Sequence, residues 1–279
     1  MRTVTVITGG AGGIGKATAK ILGKDHYVVL GDVSRDRLDA AIAELQKMKV
    51  ACDSVLCDVT DRNSADELAA RAREKGKVVS LVHAAGISPL MGDAASVLNV
   101  NALGTVHVNE AFLDIAREGF VCINVASMAG YFLPKLVIPK RSYALSKNRE
   151  EKFIKRLRTA CSIVPRKHRS SMAYLLSKNF VIWYSKSAAH RFGEKGARIL
   201  SVSPGSIDTQ MGQLEIRSGS VKILELATIK RLGTPEEVAE VIAFSASEKA
   251  GYLTGVDIRC DGGVVAGFNP RKLLSFIPR

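Results

Sequence analysis

The sequence has few cysteines and places them poorly for cross-linking. Its five, Cys52, Cys57, Cys122, Cys161 and Cys260, are an odd number and scattered, with no Cys-x-x-Cys pair and no His/Cys cluster at metal-ligand spacing. That excludes a disulfide framework, gives no reason to expect a metal, and points to reduced thiols in a cytoplasmic chain. No apolar stretch reaches bilayer-spanning length. The first strand-like segment, Val4–Thr8, comes too early for the regions of a signal peptide, so none is expected. No nucleic-acid-binding motif is present. What the chain does have is 47% hydrophobic residues over 279 positions, enough for a sizeable core in one large α/β domain or two small ones.

The formal net charge is +13, unevenly spread. Between Lys135 and Lys178 there are thirteen Lys/Arg and two acids, Glu150 and Glu151, a net +11. The rest of the chain is close to neutral, so the basicity belongs to one segment.

Short apolar runs alternate with helical ones. Val4–Thr8, Tyr27–Gly31, Val55–Cys57 and Val78–His83 read as strands. Ile14–Leu22 and Arg37–Met48 read as helices, the second with Leu38, Ala41, Ile42 and Leu45 on one face. This order implies a doubly wound, parallel Rossmann-like sheet with helices on both faces.

The first strand ends in T-G-G-A-G-G-I-G, Thr8 to Gly15. A glycine-rich turn between strand and helix lets the backbone approach a pyrophosphate, and the following helix N-terminus offers unpaired N–H groups. Gly9, Gly13, Ile14 and Gly15 are therefore candidate cofactor contacts. The turn becomes a strong signal with an acid at the end of the second strand. That acid is Asp32, seventeen residues after Gly15. A carboxylate there accepts from both ribose hydroxyls and repels a 2′-phosphate, which favours NAD over NADP. No Lys or Arg sits within Gly10–Gly13, and Arg35 and Arg37 read as solvated helix charges. Asp58, with Val59 after it, is placed either to touch the adenine or to serve the start of the next helix.

Two Tyr-x-x-x-Lys pairs lie further along, Tyr143–Lys147 and Tyr174–Lys178. Such a pair lies on one helix face, and a nearby ammonium favours the tyrosinate of a phenol whose free pKa is about 10.

Thr8, Gly9, Gly13 and Gly15, then Asp58-Val59, Ala84-Ala85-Gly86, Asn101, Ser127, a Tyr-x-x-x-Lys pair and Pro204-Gly205 together resemble the short-chain dehydrogenase/reductase family, in order and spacing, from Thr3 to Gly263. The resemblance implies hydride transfer between a nicotinamide and a carbinol carbon, with proton transfer through the tyrosine. It implies that Ser127 bonds the substrate oxygen and that Asn101 holds a water linking the lysine to solvent. Asp58, Val59, Ala85, Gly86, Pro204, Gly205, Ile207 and Thr209 fall at cofactor-contacting positions. His83 stands where the family usually has Asn, and reads as a packed strand residue. The family continues from its catalytic helix into a strand ending in Pro-Gly. After Lys178 a helical pattern runs to Phe192, and Arg198–Ser203 leads into Pro204-Gly205. After Lys147 the chain meets basic sequence and Pro165, which breaks a helix. Tyr174 and Lys178 are thus expected to be catalytic with Asn101 and Ser127, and Tyr143–Lys147 to be a coincidental match.

Fourteen residues separate Gly86 from Asn101, and the Ser127–Tyr174 interval is long. Both resemble the bacterial 3α-hydroxysteroid dehydrogenase/carbonyl reductase branch, whose helical insertion alters the usual oligomer contact. One domain over 1–279 is expected, with a basic helical insertion at 131–171 and a substrate lid at 206–230. Helical character runs through Tyr143–Ala160, as a solvated hairpin or as a surface for another subunit, an anionic membrane or an anionic substrate. Nucleic acid is not expected. The apolar lid suits a hydroxysteroid-like or terpenoid-like alcohol or ketone. Thr234-Pro235-Glu236-Glu237 opens a helix, Val256–Cys260 closes the sheet, and the tail Phe268–Arg279 either frays or crosses to a neighbour in a homodimer or homotetramer. Alternatives are an NADP(H)-dependent reductase of a small carbonyl or 3-oxoacyl thioester, and a silent dinucleotide-binding protein with a basic partner surface.

Overall fold

The computed structural model describes residues 2–216 and 221–267. Seven parallel strands form one sheet in the order β3-β2-β1-β4-β5-β6-β7. They are β1 (Thr3–Thr8), β2 (Tyr27–Asp32), β3 (Cys52–Leu56), β4 (Lys77–His83), β5 (Val121–Val125), β6 (Arg198–Pro204) and β7 (Asp257–Cys260). The order reverses between β1 and β4, which opens a crevice beyond their C-terminal ends, where such sheets take ligands.

Both faces are covered because the central strands are apolar in both directions. On one face α1 (Gly13–Leu22), α2 (Arg35–Lys47) and α11 (Pro235–Ala246) bury Leu22, Leu38, Leu45, Val238 and Ile242 against Ile7, Leu30 and Ile123. On the other, α3 (Arg62–Lys75), α5 (Gly104–Ile115) and α8 (Arg169–Gly193) bury Leu68, Phe112, Phe180 and Phe192 against Val4, Val6 and Leu81. A capping box starts α11: Thr234 accepts from the Glu237 N–H while Glu237 returns to the Thr234 N–H. As expected, α8 ends at Gly193, and Gly196 turns the chain with a positive φ of 68°.

Two sequence expectations need correction. The third strand runs Cys52–Leu56 rather than Val55–Cys57, because it is a half-exposed edge strand whose extent follows its ladder to Val28–Asp32. The segment 143–160 has the expected helical character, in pieces. It breaks into α6 (Lys140–Tyr143), a tight turn at Ala144–Lys147 and α7 (Glu150–Cys161), with Asn148 and Arg149 outside the helical region at φ −140° and −146°. It is not, however, a solvated hairpin, and this is the second correction. Tyr143, Phe153, Leu157 and Cys161 are fully buried in the same core as α8. The Phe153 ring packs 4.6 Å from Phe180, and Tyr143 lies edge-on to Phe180 at 5.2 Å. The expected lid contains α9 (Gln210–Glu215) and α10 (Val221–Leu226), while part of it and the tail Phe268–Arg279 lie outside the described residues. Among the described residues no helix is long and apolar enough to cross a membrane, and the five cysteines are free.

Candidate active site

A cleft of about 960 Å³ runs across the C-terminal ends of the central strands. At one end lies the turn after β1. Gly9 adopts φ +64°, and a Cβ there would sit 2.7 Å from the Ala85 nitrogen. A Cβ on Gly13 would meet the Thr209 methyl at 2.5 Å. The turn thus packs without side chains, and Gly13, Ile14 and Gly15 at the start of α1 line the cleft, where a helix's first N–H groups lack intrahelical partners and can cradle an anion. A dinucleotide pyrophosphate fits this donor set.

Asp32 closes β2 with its carboxylate nearly buried. Its Oδ1 accepts from the Ser34 N–H at 3.2 Å and from the Arg37 guanidinium at 2.7 Å, leaving Oδ2 for a ribose hydroxyl. Arg37 is therefore not only a solvated charge: it lines the cleft beside Asp32. Asp58 also lines the cleft and is exposed. Its Oδ1 accepts from the Thr60 N–H and hydroxyl at 2.9 and 2.8 Å, and Asp61, not Asp58, caps α3. Val59, Ala85, Gly86, Pro204, Gly205, Ile207 and Thr209 line the cleft as well. Thr209 also caps α9, and Ile207 bridges to Gly233.

At the far end Ser127, Tyr174 and Lys178 converge. Tyr174 and Lys178 share one face of α8, with the Lys178 Nζ 5.9 Å from the Tyr174 ring centre. That ammonium donates to the Val125 carbonyl at the end of β5, at 3.0 Å. Ser127 comes just after the same strand. Its Oγ accepts from the Ala129 N–H at 3.1 Å and lies against the Tyr174 hydroxyl. The turn behind it, Met128–Tyr131, approaches α8 so closely that a Cβ on Gly130 would sit 2.9 Å from the Asn179 nitrogen. The Asn179 amide holds that turn through the Gly130 carbonyl at 2.7 Å.

Asn101 lies behind the cleft wall. It sits in a π-helical turn, Asn99–Leu103, and its amide pairs both ways with Ile87, at 2.9 and 3.0 Å. Gly86 keeps it near the lysine: a Cβ there would be 3.1 Å from Asn101 Oδ1 and 3.4 Å from Lys178 Nζ. His83 is buried as expected, with Nδ1 2.7 Å from the Thr8 hydroxyl and Nε2 without a partner. Burial, helped by the Lys178 charge, pushes its pKa down to about 3. Tyr143 is far from any such role, its hydroxyl held at 3.0 Å by the Leu176 carbonyl.

Burial also governs the Tyr–Lys pair. It pushes the Lys178 pKa down to about 8, against the Glu215 carboxylate, which pulls it up. It raises the Tyr174 phenol well above its ordinary value, with Glu215 adding and the Ser127 hydrogen bond opposing. Glu215, at the end of α9, lines the same cleft, and burial raises its own pKa against the pull of Lys178. In the sequence it is one of three acids in the expected lid, with no spacing that marks it as part of the site.

Residues 3–163 match the family model described as short chain dehydrogenase, and residues 157–265 match that of enoyl-(acyl carrier protein) reductase. The chain is a short-chain dehydrogenase/reductase. Full-length relatives of this dehydrogenase/reductase agree with that assignment. It is 30% identical to short-chain dehydrogenase/reductase bsc3 of Alternaria brassicicola, covering 95% of this chain and 97% of the relative. It is also 30% identical to the 3-alpha-hydroxysteroid dehydrogenase/carbonyl reductase of Comamonas testosteroni, over 97% and 99% of the two chains. The crystal structure of a short-chain dehydrogenase/reductase from Brucella melitensis, also named a glucose/ribitol dehydrogenase, superposes with a TM-score of 0.73 at 26% identity, over 94% of this chain and 96% of that one. As an oxidoreductase family, the short-chain dehydrogenases/reductases bind a nicotinamide dinucleotide.

Proposed function

We propose that this chain interconverts a secondary alcohol and a ketone on an apolar, hydroxysteroid-like substrate, using NAD(H). The observation that carries the reading is the convergence of Ser127, Tyr174 and Lys178 at one end of a cleft whose other end holds the glycine cradle and Asp32. When bound, the dinucleotide supplies the hydride acceptor and, oxidised, a positive charge that favours tyrosinate. Tyr174 takes the proton of the substrate hydroxyl in oxidation and returns it in reduction. Ser127, whose oxygen already accepts from Ala129, donates its hydroxyl proton to the substrate oxygen as charge changes there. Lys178, fixed on the Val125 carbonyl, holds an ammonium beside the phenol and opposes the burial that favours the neutral tyrosine. Asn101, pinned to Ile87, stands beside Gly86 and Lys178 to position a water that refills the proton. The cradle at Gly9–Gly15 holds the pyrophosphate and Asp32 the ribose.

Arg37 favours a second reading. A guanidinium 2.7 Å from Asp32 and lining the cleft offers a bidentate partner for a 2′-phosphate, as an NADP(H)-dependent carbonyl reductase needs. The deciding experiment follows absorbance of the reduced cofactor with steroid, terpenoid and acyl-thioester substrates side by side, once with NAD(H) and once with NADP(H). Turnover of apolar secondary alcohols with NAD supports the first reading. Preferential turnover with NADPH supports the second, and no turnover despite tight dinucleotide binding removes both.

A further inference from the structure

The thirteen cations between Lys135 and Lys178 divide sharply. Lys178 is buried in the cleft wall and Arg169 is half-buried, while the other eleven are exposed. Among the described residues, no ion pair engages any of the eleven. Helix α7 shows how they come to face outward. Phe153, Leu157 and Cys161 recur every four residues and are buried, so Lys152, Lys155 and Arg156 are left in solvent. Like charges gathered in excess repel one another, and with two acids in the segment, Glu150 and Glu151, and Asp93 acting on Arg158, this cluster keeps a large positive excess.

Bare aliphatic side chains stand among these cations. Leu136 is 100% exposed beside Lys135, Val137 is exposed next to it, and Ile163 is 70% exposed between Arg158 and Arg166. Both Tyr/Phe/Trp side chains of the stretch 135–173, Tyr143 and Phe153, are fully buried, which leaves the His168 imidazole as the one exposed aromatic ring among these residues for base stacking. Cations flanking exposed aliphatic side chains suit an anionic bilayer, where the cations meet lipid phosphates and the aliphatics enter the acyl boundary.

We propose that the basic face formed by the loop at 134–139, α7 and the turn at 162–167 docks on an anionic phospholipid surface. Because Tyr143, Phe153 and Leu157 lock this segment into the core around α8, docking orients the whole catalytic body and not a loose arm.

The test is co-sedimentation of the full chain with vesicles of phosphatidylcholine alone and of phosphatidylcholine with phosphatidylglycerol, at low and high salt. The wild type binds the anionic vesicles, not the neutral ones, and releases in high salt. The triple variant Lys152→Gln, Lys155→Gln, Arg156→Gln weakens vesicle affinity on the order of 100-fold, and Leu136→Asp weakens it separately. Retained dinucleotide binding by each variant shows that it is folded. Failure of the wild type to bind anionic vesicles at low salt overturns the proposal. So does unchanged binding by the folded triple variant, or displacement from vesicles by an RNA or acidic polypeptide competitor at lower charge concentration. None of these outcomes depends on whether the redox reading holds.

Discussion

The Tyr143 hydroxyl lies 3.0 Å from the Leu176 carbonyl oxygen and 3.1 Å from Asn179 Oδ1. Both partners belong to the helix that carries Tyr174 and Lys178, and the Asn179 amide in turn holds the turn behind Ser127. Tyr143 of the first Tyr-x-x-x-Lys pair is thus a brace for the helix of the second. Tyr143→Phe removes one buried hydrogen bond and is expected to lower stability by about 1 kcal/mol. Phe153→Ala, which opens a cavity beneath the same helix, is expected to cost about 3–5 kcal/mol. Urea denaturation of both variants measures the two values.

In the proposed reading, Asp32 and Arg37 make opposite demands on the cofactor. Asp32→Ala removes the acceptor for a ribose hydroxyl and the repulsion toward a 2′-phosphate, so the NADP-to-NAD ratio of kcat/KM is expected to rise by about 10- to 100-fold. Arg37→Ala is expected to leave NAD use nearly unchanged and to lower residual NADP use. An unchanged ratio in the Asp32 variant removes that residue from its proposed role.

Glu215 raises the Tyr174 pKa and supports the charge on Lys178. Glu215→Gln removes a negative charge, so tyrosinate forms more readily. The acidic limb of the kcat/KM profile for alcohol oxidation is expected to move to lower pH. An unmoved limb would mean that the lid carboxylate does not act on the Tyr–Lys pair.

His83 is held neutral in the fold, its pKa lowered from 6.5 to about 3. The unfolded chain takes up a proton below pH 6.5 that the native state refuses until near pH 3, so this histidine makes stability fall as the pH drops through that window. The slope is about 1.4 kcal/mol per pH unit. His83→Asn is expected to flatten the loss of stability between about pH 6 and 4, as read from unfolding midpoints.

Much of this was legible from local pattern. Apolar periodicity located five of the seven strands closely and passed over β5, and the glycines after Thr8 announced their turn. The helix, strand and Pro-Gly beyond Lys178 separated the two Tyr-x-x-x-Lys pairs. The failures share a cause. The edge strand Cys52–Leu56 takes its limits from its neighbour, so its own residues signal them weakly. The break at Asn148–Arg149 and the burial of Tyr143 depend on docking against α8, which no local spacing encodes. Arg37 and Glu215 belong to the cleft through folding of the first turn of α2 and of the lid, and charged side chains at such positions are more often solvated.

The central claim is that Tyr174, not Tyr143, moves the proton. Turnover of the best substrate by folded Tyr174→Phe and Tyr143→Phe tests it most directly. Tyr174→Phe is expected to lose roughly 100- to 10,000-fold in kcat, while Tyr143→Phe stays within about tenfold of the wild type, matching one lost hydrogen bond. Abolished turnover in Tyr143→Phe with activity retained in Tyr174→Phe would contradict the claim.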